Sequence, residues 1–270
     1  MEIDYKKYNL AKEPVPLFNK DGHEIYWVGA ATTTTLRNNI YLIKDGIECI
    51  IVDCGSRGDF ENTVSRIKQI APIEYVTKIF ANHQDPDVTS GIIDWLNLNP
   101  DIEVITSPFI NIFIEHYTGK DGYKYFNTEL NPKLTLSSGA VLEFISSPFM
   151  HSPGAVTIYD HKAKVLFSGD IWAAIAIEWD LVMQGKFQDH IEFMDFFHKE
   201  YMSSNRATRN FLAKLKDKPL DAIFPQHGSI ITGKENIQSA LRYIRDLKCG
   251  VDFMPEVSDE ELKFIEEIYK

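Results

Sequence analysis

VTKIFANHQDPDVTSG, residues 76–91, decides how the rest of the chain is read. Its opening VTKIFAN is rich in β-branched and aromatic residues and reads as a strand that ends at His83. Beyond it, alternate residues carry donor groups: His83, Asp85 and Asp87. Pro86 restricts both itself and Asp85 to extended backbone, which stiffens the presentation of all three.

Outward from this stretch, HEIYWVGA, NNIYLIKDG and IECIIVDCG read as strands, the last two joined in a hairpin about Lys44, Asp45 and Gly46. DFENTVSRIKQI has helical spacing behind Asp59 as a cap. After the donor cluster, VTSGIIDWLNL reads as a short helix, IEVITS as a strand, and PFINIFIEHY as a helix with Pro108 near its start. AVLEFIS, AVTIYD and KVLFSGD form a second strand-rich stretch. Residues 188–216 turn helical, PLDAIFPQH is a buried strand, and ENIQSALRYIRDLK and DEELKFIEEIYK are amphipathic helices. Two similar halves, each with strands before helices, predict a single α/β (α+β) domain over residues 1–270, with two sheets face to face and helices outside.

Three further donors follow strand-like runs: His151 in FMHSPGA, Asp170 in LFSGDIW and His227 in PQHGSII. Loops at strand ends suit metal binding, because the strands hold the loop bases while the tips stay polar. Three imidazoles and three carboxylates suit iron or manganese better than the nitrogen and sulfur sets preferred by zinc, although softness does not exclude zinc. Three carboxylates leave two divalent ions with a surplus of about one charge, and two trivalent ions with about three, which an oxo, hydroxo or peroxo bridge absorbs.

Composition narrows the class. A formal charge of -11 argues against nucleic acid, whose phosphates are bound by Lys and Arg. No basic block suggests a membrane surface, and no apolar run reaches the roughly 20 residues of a span. The N-terminal stretch has no apolar segment after its charges, so no signal peptide is expected. Three cysteines, Cys49, Cys54 and Cys249, lack ligand spacing and fit a reducing cytoplasm.

The ordered donors, the VDCG turn at residues 52–55 and the predicted αββα sandwich resemble the metallo-β-lactamase superfamily. Within it, the chain is most similar to the flavodiiron branch. Zinc hydrolases of the superfamily carry H-x-H-x-D-H, flavodiiron proteins carry H-x-E-x-D-H, and here Asp85 stands at the second donor. The eighteen residues between His151 and Asp170 also match the family gap, and PQHG resembles its last ligand motif. There are two departures. Val88 occupies the place of the cluster's final His, and the chain stops where a flavodoxin domain would begin, so no flavin is expected on it. This shortened form looks most like the oxygen-binding diiron proteins, which the resemblance associates with oxygen sensing and chemotaxis.

The resemblance implies two irons. His83, Asp85 and His151 hold the first, Asp87 and His227 the second, and Asp170 bridges them. It further implies dioxygen held as a stable peroxo adduct, a chemoreceptor or a separate electron donor as partner, and a homodimer. One alternative is an O2 or NO reductase fed by an external donor; another is a zinc-dependent hydrolase. Val88 is expected to wall the second iron with an apolar group that gives no proton.

Asp87 is read as a ligand rather than as a helix N-cap, capping falling to Thr89 or Ser90. Asp53 braces the metal loop on the resemblance, or makes a simple Asx-turn. Cys54 packs at a strand end. His23, His116, His161, His190 and His198 match no motif and are expected on the surface or on helix faces. Thr32 to Thr35 lead into a strand, and Phe193, Phe196, Phe197 and Tyr201 read as core or dimer packing.

Overall fold

Alternating side chains on β-branched strands bury one face against a second sheet and the other against helices, and this gives the chain its layers. The computed structural model describes residues 12–29, 36–119, 122–175 and 180–268. The first sheet runs in chain order: β1 (Val15–Lys20), β2 (His23–Gly29), β3 (Ile40–Asp45), β4 (Glu48–Val52), β5 (Val76–Phe80), β6 (Glu103–Thr106) and β7 (Lys124–Asn127). β1 to β4 are antiparallel, and β4 to β7 are parallel. The second sheet has the order β13-β12-β11-β10-β9-β8, from β8 (Lys133–Thr135), β9 (Val141–Ser146), β10 (Val156–Asp160), β11 (Val165–Gly169), β12 (Ala222–Pro225) and β13 (Ile231–Thr232).

β3 shows the logic. Tyr41 and Ile43 face the second sheet and pack in a core with Phe80, Phe144, Phe167 and Phe224, while Ile40 and Leu42 face outward to Ile67, Trp95 and Ile110. Those outer partners come from α1 (Phe60–Ile67), α3 (Ile92–Leu98) and α4 (Pro108–Thr118), with the four-residue α2 (Pro86–Thr89) before α3. On the far side, α5 (Phe187–His190), α6 (Asp195–Tyr201), α7 (Asn205–Ala213) and α8 (Lys234–Asp246) cover the second sheet through Phe187, Phe197, Phe211 and Ile244. α9 (Asp259–Glu267) buries no residue. The result is the expected four-layer αββα sandwich of the metallo-β-lactamase type.

Several local expectations change. β1, β7, β8 and β13 were not read from the sequence; each is short or lies at or next to a sheet edge, where the alternating signal is weakest. The hairpin turn falls on Gly46 and Ile47, between Asp45 and Glu48. The single helix expected over VTSGIIDWLNL is two, because Gly91 closes its N–H onto the Gly55 carbonyl at 3.1 Å, where a Cβ has no room. Asp59 makes no side-chain cap to α1 and accepts instead from Ser56. His23 is fully buried on β2; His190 and His198 lie on helices as expected, the first half-buried and the second fully buried. Thr32 to Thr35 lie outside the described residues.

Candidate metal centre

The C-terminal ends of β4, β5, β9, β11 and β12 share one rim, and every predicted donor sits just past one of them. Asp53 follows β4; His83, Asp85 and Asp87 follow β5; His151 follows β9, Asp170 follows β11, and His227 lies two residues after β12. The two sheets are tied together at this rim by the buried Asn39 side chain, which donates to the carbonyls of Pro225 and Gly228 at 2.9 and 2.7 Å.

All six donors converge. Asp170 Oδ2 lies 3.0 Å from His151 Nε2 and 3.5 Å from His83 Nε2, and Asp85 Oδ2 approaches the same two nitrogens at 3.5 and 3.6 Å. The other Asp170 oxygen, Oδ1, faces away to His227 Nε2 at 3.3 Å, which Asp87 Oδ2 also approaches at 3.1 Å. The tightest groupings are His83 with His151 and Asp170, and His83 with Asp85 and Asp87; His227 joins through its pairwise contacts. His83 and His227 are 1% exposed, against 38% for Asp85 and 24% for Asp87, so the pocket opens on its aspartate side.

Orientation is set from behind. His83 Nδ1 lies 2.9 Å from Asn82 Oδ1 and His227 Nδ1 lies 3.0 Å from the Arg37 carbonyl; both acceptors take the Nδ1 proton, which leaves each Nε2 aimed inward as the nitrogen a metal ion would meet. Asn82 is itself fixed: its N–H donates to Asp53 Oδ1 at 2.8 Å, and its side-chain amide donates to the Val156 carbonyl. Gly169 is needed just before Asp170, since it has φ +57 and any Cβ would overlap the Asn82 amide. Gln226 donates to Asp87 Oδ2 at 3.2 Å, and Asn38 donates to the Asp87 carbonyl at 3.1 Å. None of Asn82, Gln226 and Asn38 was anticipated; their only sequence signal is an amide beside a donor or at a strand entrance.

Asp85, not Asp87, stands at the N-cap of α2, and its side chain makes no cap bond. Thr89 donates instead to the Gln84 and Asp85 carbonyls, and Ser90 lies at the helix C-terminus. Val88 is fully buried with the outer-layer cluster that includes Cys54, Ile92 and Trp95, and its carbonyl accepts from Cys54 Sγ at 3.4 Å. Asp53, with φ +54, acts as the brace to Asn82.

The residues fit a pair of metal ions. His83 Nε2, His227 Nε2 and Asp170 Oδ1 are buried polar atoms with no hydrogen-bond partner, which is costly unless something else is bound there. Burial works against charge on the two imidazoles, yet the facing carboxylates, Asp170 foremost, lift His83 to about 9 and His227 to about 10. Burial alone would raise the Asp170 carboxyl, but His83 and His227 hold it well below the usual range. Burial pushes Asp53 up to about 7. In the metal-free protein, protons thus occupy nitrogens that a cation would claim.

Fold and donors together define a class: a metallo-β-lactamase-fold protein with a paired histidine and carboxylate cluster able to take metal. The particular family follows from comparison. The model of the ODP family beta lactamase matches residues 36–228, and the chain belongs to that family. It is similar to the chemotaxis sensor ODP solved as its peroxy diiron species, at 30% identity and a TM-score of 0.78 over 90% of this chain and 98% of that one. The apo sensor ODP from T. denticola gives 29% and 0.75 over 89% and 97%. The flavo-diiron protein FprA2 of Clostridium acetobutylicum is 24% identical over 79% of this chain and 54% of its own length, so the chain spans about half of that relative. Rubredoxin oxygen:oxidoreductase of Desulfovibrio gigas, 17% identical with a TM-score of 0.74, shares the fold. No described helix is long and apolar enough to cross a membrane.

Proposed function

We propose that this chain binds dioxygen at a pair of irons and serves as an oxygen sensor in chemotaxis. His83, Asp85 and His151 hold one ion, Asp87 and His227 hold the other, and Asp170 spans them. The observation that carries the reading is the Asp170 carboxylate, whose two oxygens face different histidine and aspartate sets, with Oδ1 buried near His227 but without a hydrogen bond. Two ferrous ions, when bound, supply the two electrons that dioxygen needs to be retained. The chain's own residues do the rest. Buried imidazoles fix the back of the pocket, the partly exposed carboxylate side admits the gas, and Val88 offers no proton where a histidine would. We place the protein in the cytoplasm as a homodimer, with a chemoreceptor as signalling partner.

The flavodiiron relatives favour a second reading, a reductase of O2 or NO supplied by a separate electron donor. Mixing the anaerobic diferrous protein with O2 separates the two. One equivalent of gas per iron pair, taken up into a slowly decaying chromophore, is expected. Sustained uptake with an artificial donor, at about tens of turnovers per second, would make it a reductase. Two zinc ions after anaerobic purification, with ester or phosphodiester turnover, would make it a hydrolase.

A further inference from the structure

Trp172 is the strained residue of the loop that carries Asp170. Its backbone lies in the left-handed region at φ +67, where a bulky side chain persists only if its surroundings hold it. Three hydrogen bonds do so. The Trp172 N–H donates to His198 Nε2 at 2.9 Å, its indole N–H donates to the Ala240 carbonyl at 2.9 Å, and the next residue, Ala173, donates its N–H to the Asp170 carbonyl at 3.0 Å.

His198 is fully buried, and its Nδ1 lies 2.9 Å from the Met194 carbonyl. A carbonyl can only accept and an amide N–H can only donate, so a single form satisfies both neighbours: the neutral imidazole with its proton on Nδ1. Burial favours that form by pushing the ring down to about 4. The same helix, α6, carries Phe197 and Tyr201, stacked at 4.8 Å and each edge-on to the His151 ring at 5.8 and 6.0 Å. One helix therefore backs two donors that arrive on different loops.

We propose that His198 is a positioning residue of the paired-metal centre: as a neutral Nδ1–H imidazole it anchors the left-handed Trp172 turn and so aims the Asp170 carboxylate, while Phe197 and Tyr201 beside it set the His151 ring. This rests on reading the six donors as a paired-metal site, and it names what outside that set fixes the geometry.

The test uses the full chain, purified metal-free and titrated with cobalt(II) chloride, whose visible absorption reports coordination geometry. Wild type is expected to take two equivalents. His198→Phe keeps a ring but removes the acceptor; a 10–100-fold weaker equivalent with an altered spectrum per bound ion is expected. His198→Gln restores a neutral acceptor and is expected to recover much of both. A merely structural role would lower the unfolding temperature and leave spectrum and affinity of the folded protein unchanged, and that result overturns the proposal. Fewer than two equivalents in wild type would instead overturn the paired-metal reading beneath it. Nitrogen-15 NMR of the unmutated, metal-free chain needs no variant to fold. A protonated Nδ1 with scalar coupling between the Trp172 amide and Nε2 supports the proposal, and a proton on Nε2 sinks it.

Discussion

The sandwich carries a buried cluster of histidine and aspartate at each end, and the two treat their polar atoms in opposite ways. Away from the donor loops, His23 meets Asp45 at 3.0 Å and Asp160 at 2.7 Å, one acid from each sheet. The remaining oxygens there are satisfied: Ser137 and Ser138 donate to Asp45, and the Lys162 and Ala163 N–H groups donate to Asp160. At the donor rim, among the described residues, His83 Nε2, His227 Nε2 and Asp170 Oδ1 make no hydrogen bond. Identical residue types thus make a closed ionic clamp at one end and an incomplete site at the other. What separates structure from function here is whether hydrogen bonding is finished within the chain.

The comparison breaks most visibly at Asp170. Asp170→Asn removes the charge facing three imidazoles, and metal uptake is expected to fall from two ions per chain to fewer than one, measured by elemental analysis of the reconstituted protein. A variant still holding two ions would mean that the unpaired atoms at this rim do not mark the site.

The clamp should respond in the other currency. His23→Leu leaves two buried carboxylates without their cation, a loss of about 3–5 kcal/mol in denaturant unfolding, with metal stoichiometry unchanged. Unfolding that is barely affected would show that the clamp holds nothing together.

Protons sharpen the contrast. Burial opposes charge on His23, but Asp160 and Asp45 raise its pKa, so its contribution is full below about 6.5 and is lost as pH rises through the folded value. His83 and His227, near 9 and 10, have the same sign in the metal-free protein. His198, near 4, has the opposite sign: its contribution is present above about 6.5 and is lost as pH falls toward 4. Only the donor-rim protons are displaced by metal. Loading the metal-free protein at pH 7 should therefore release about two protons into an indicator solution, one each from His83 and His227, while the His23 proton stays. No release would mean that those imidazoles were already neutral.

Much of this was legible in the sequence. The six donors each follow a strand-like run and Pro86 marks where the backbone is constrained, so convergence at one rim could be read from their order, while their division between two ions came from the resemblance. The clamp could not. His23, Asp45 and Asp160 lie up to 137 positions apart and meet only because β2 begins, and β3 and β10 end, at the same rim. His198 was missed for a related reason: its partner is the backbone N–H of Trp172, and a backbone group leaves no mark in composition. The short strands β7, β8 and β13 owe their pairing to neighbours rather than to their own two to four residues.

Val88 is where the smallest effect is expected and where the comparison turns on chemistry rather than on binding. Its side chain packs in the outer cluster beneath the donor loop, its N–H donates to the Asp85 carbonyl at 3.0 Å, and none of its polar atoms enters the donor set. Val88→His should therefore leave the six donors in place and two ions bound, at a cost of about 1–3 kcal/mol for a polar ring in an apolar cluster. If the ring reaches the pocket, it adds a proton donor beside bound oxygen, and the oxygenated chromophore should decay about a hundredfold faster in stopped-flow absorbance. An unchanged lifetime with intact metal content would mean that the absence of a histidine at position 88 does not protect the bound gas.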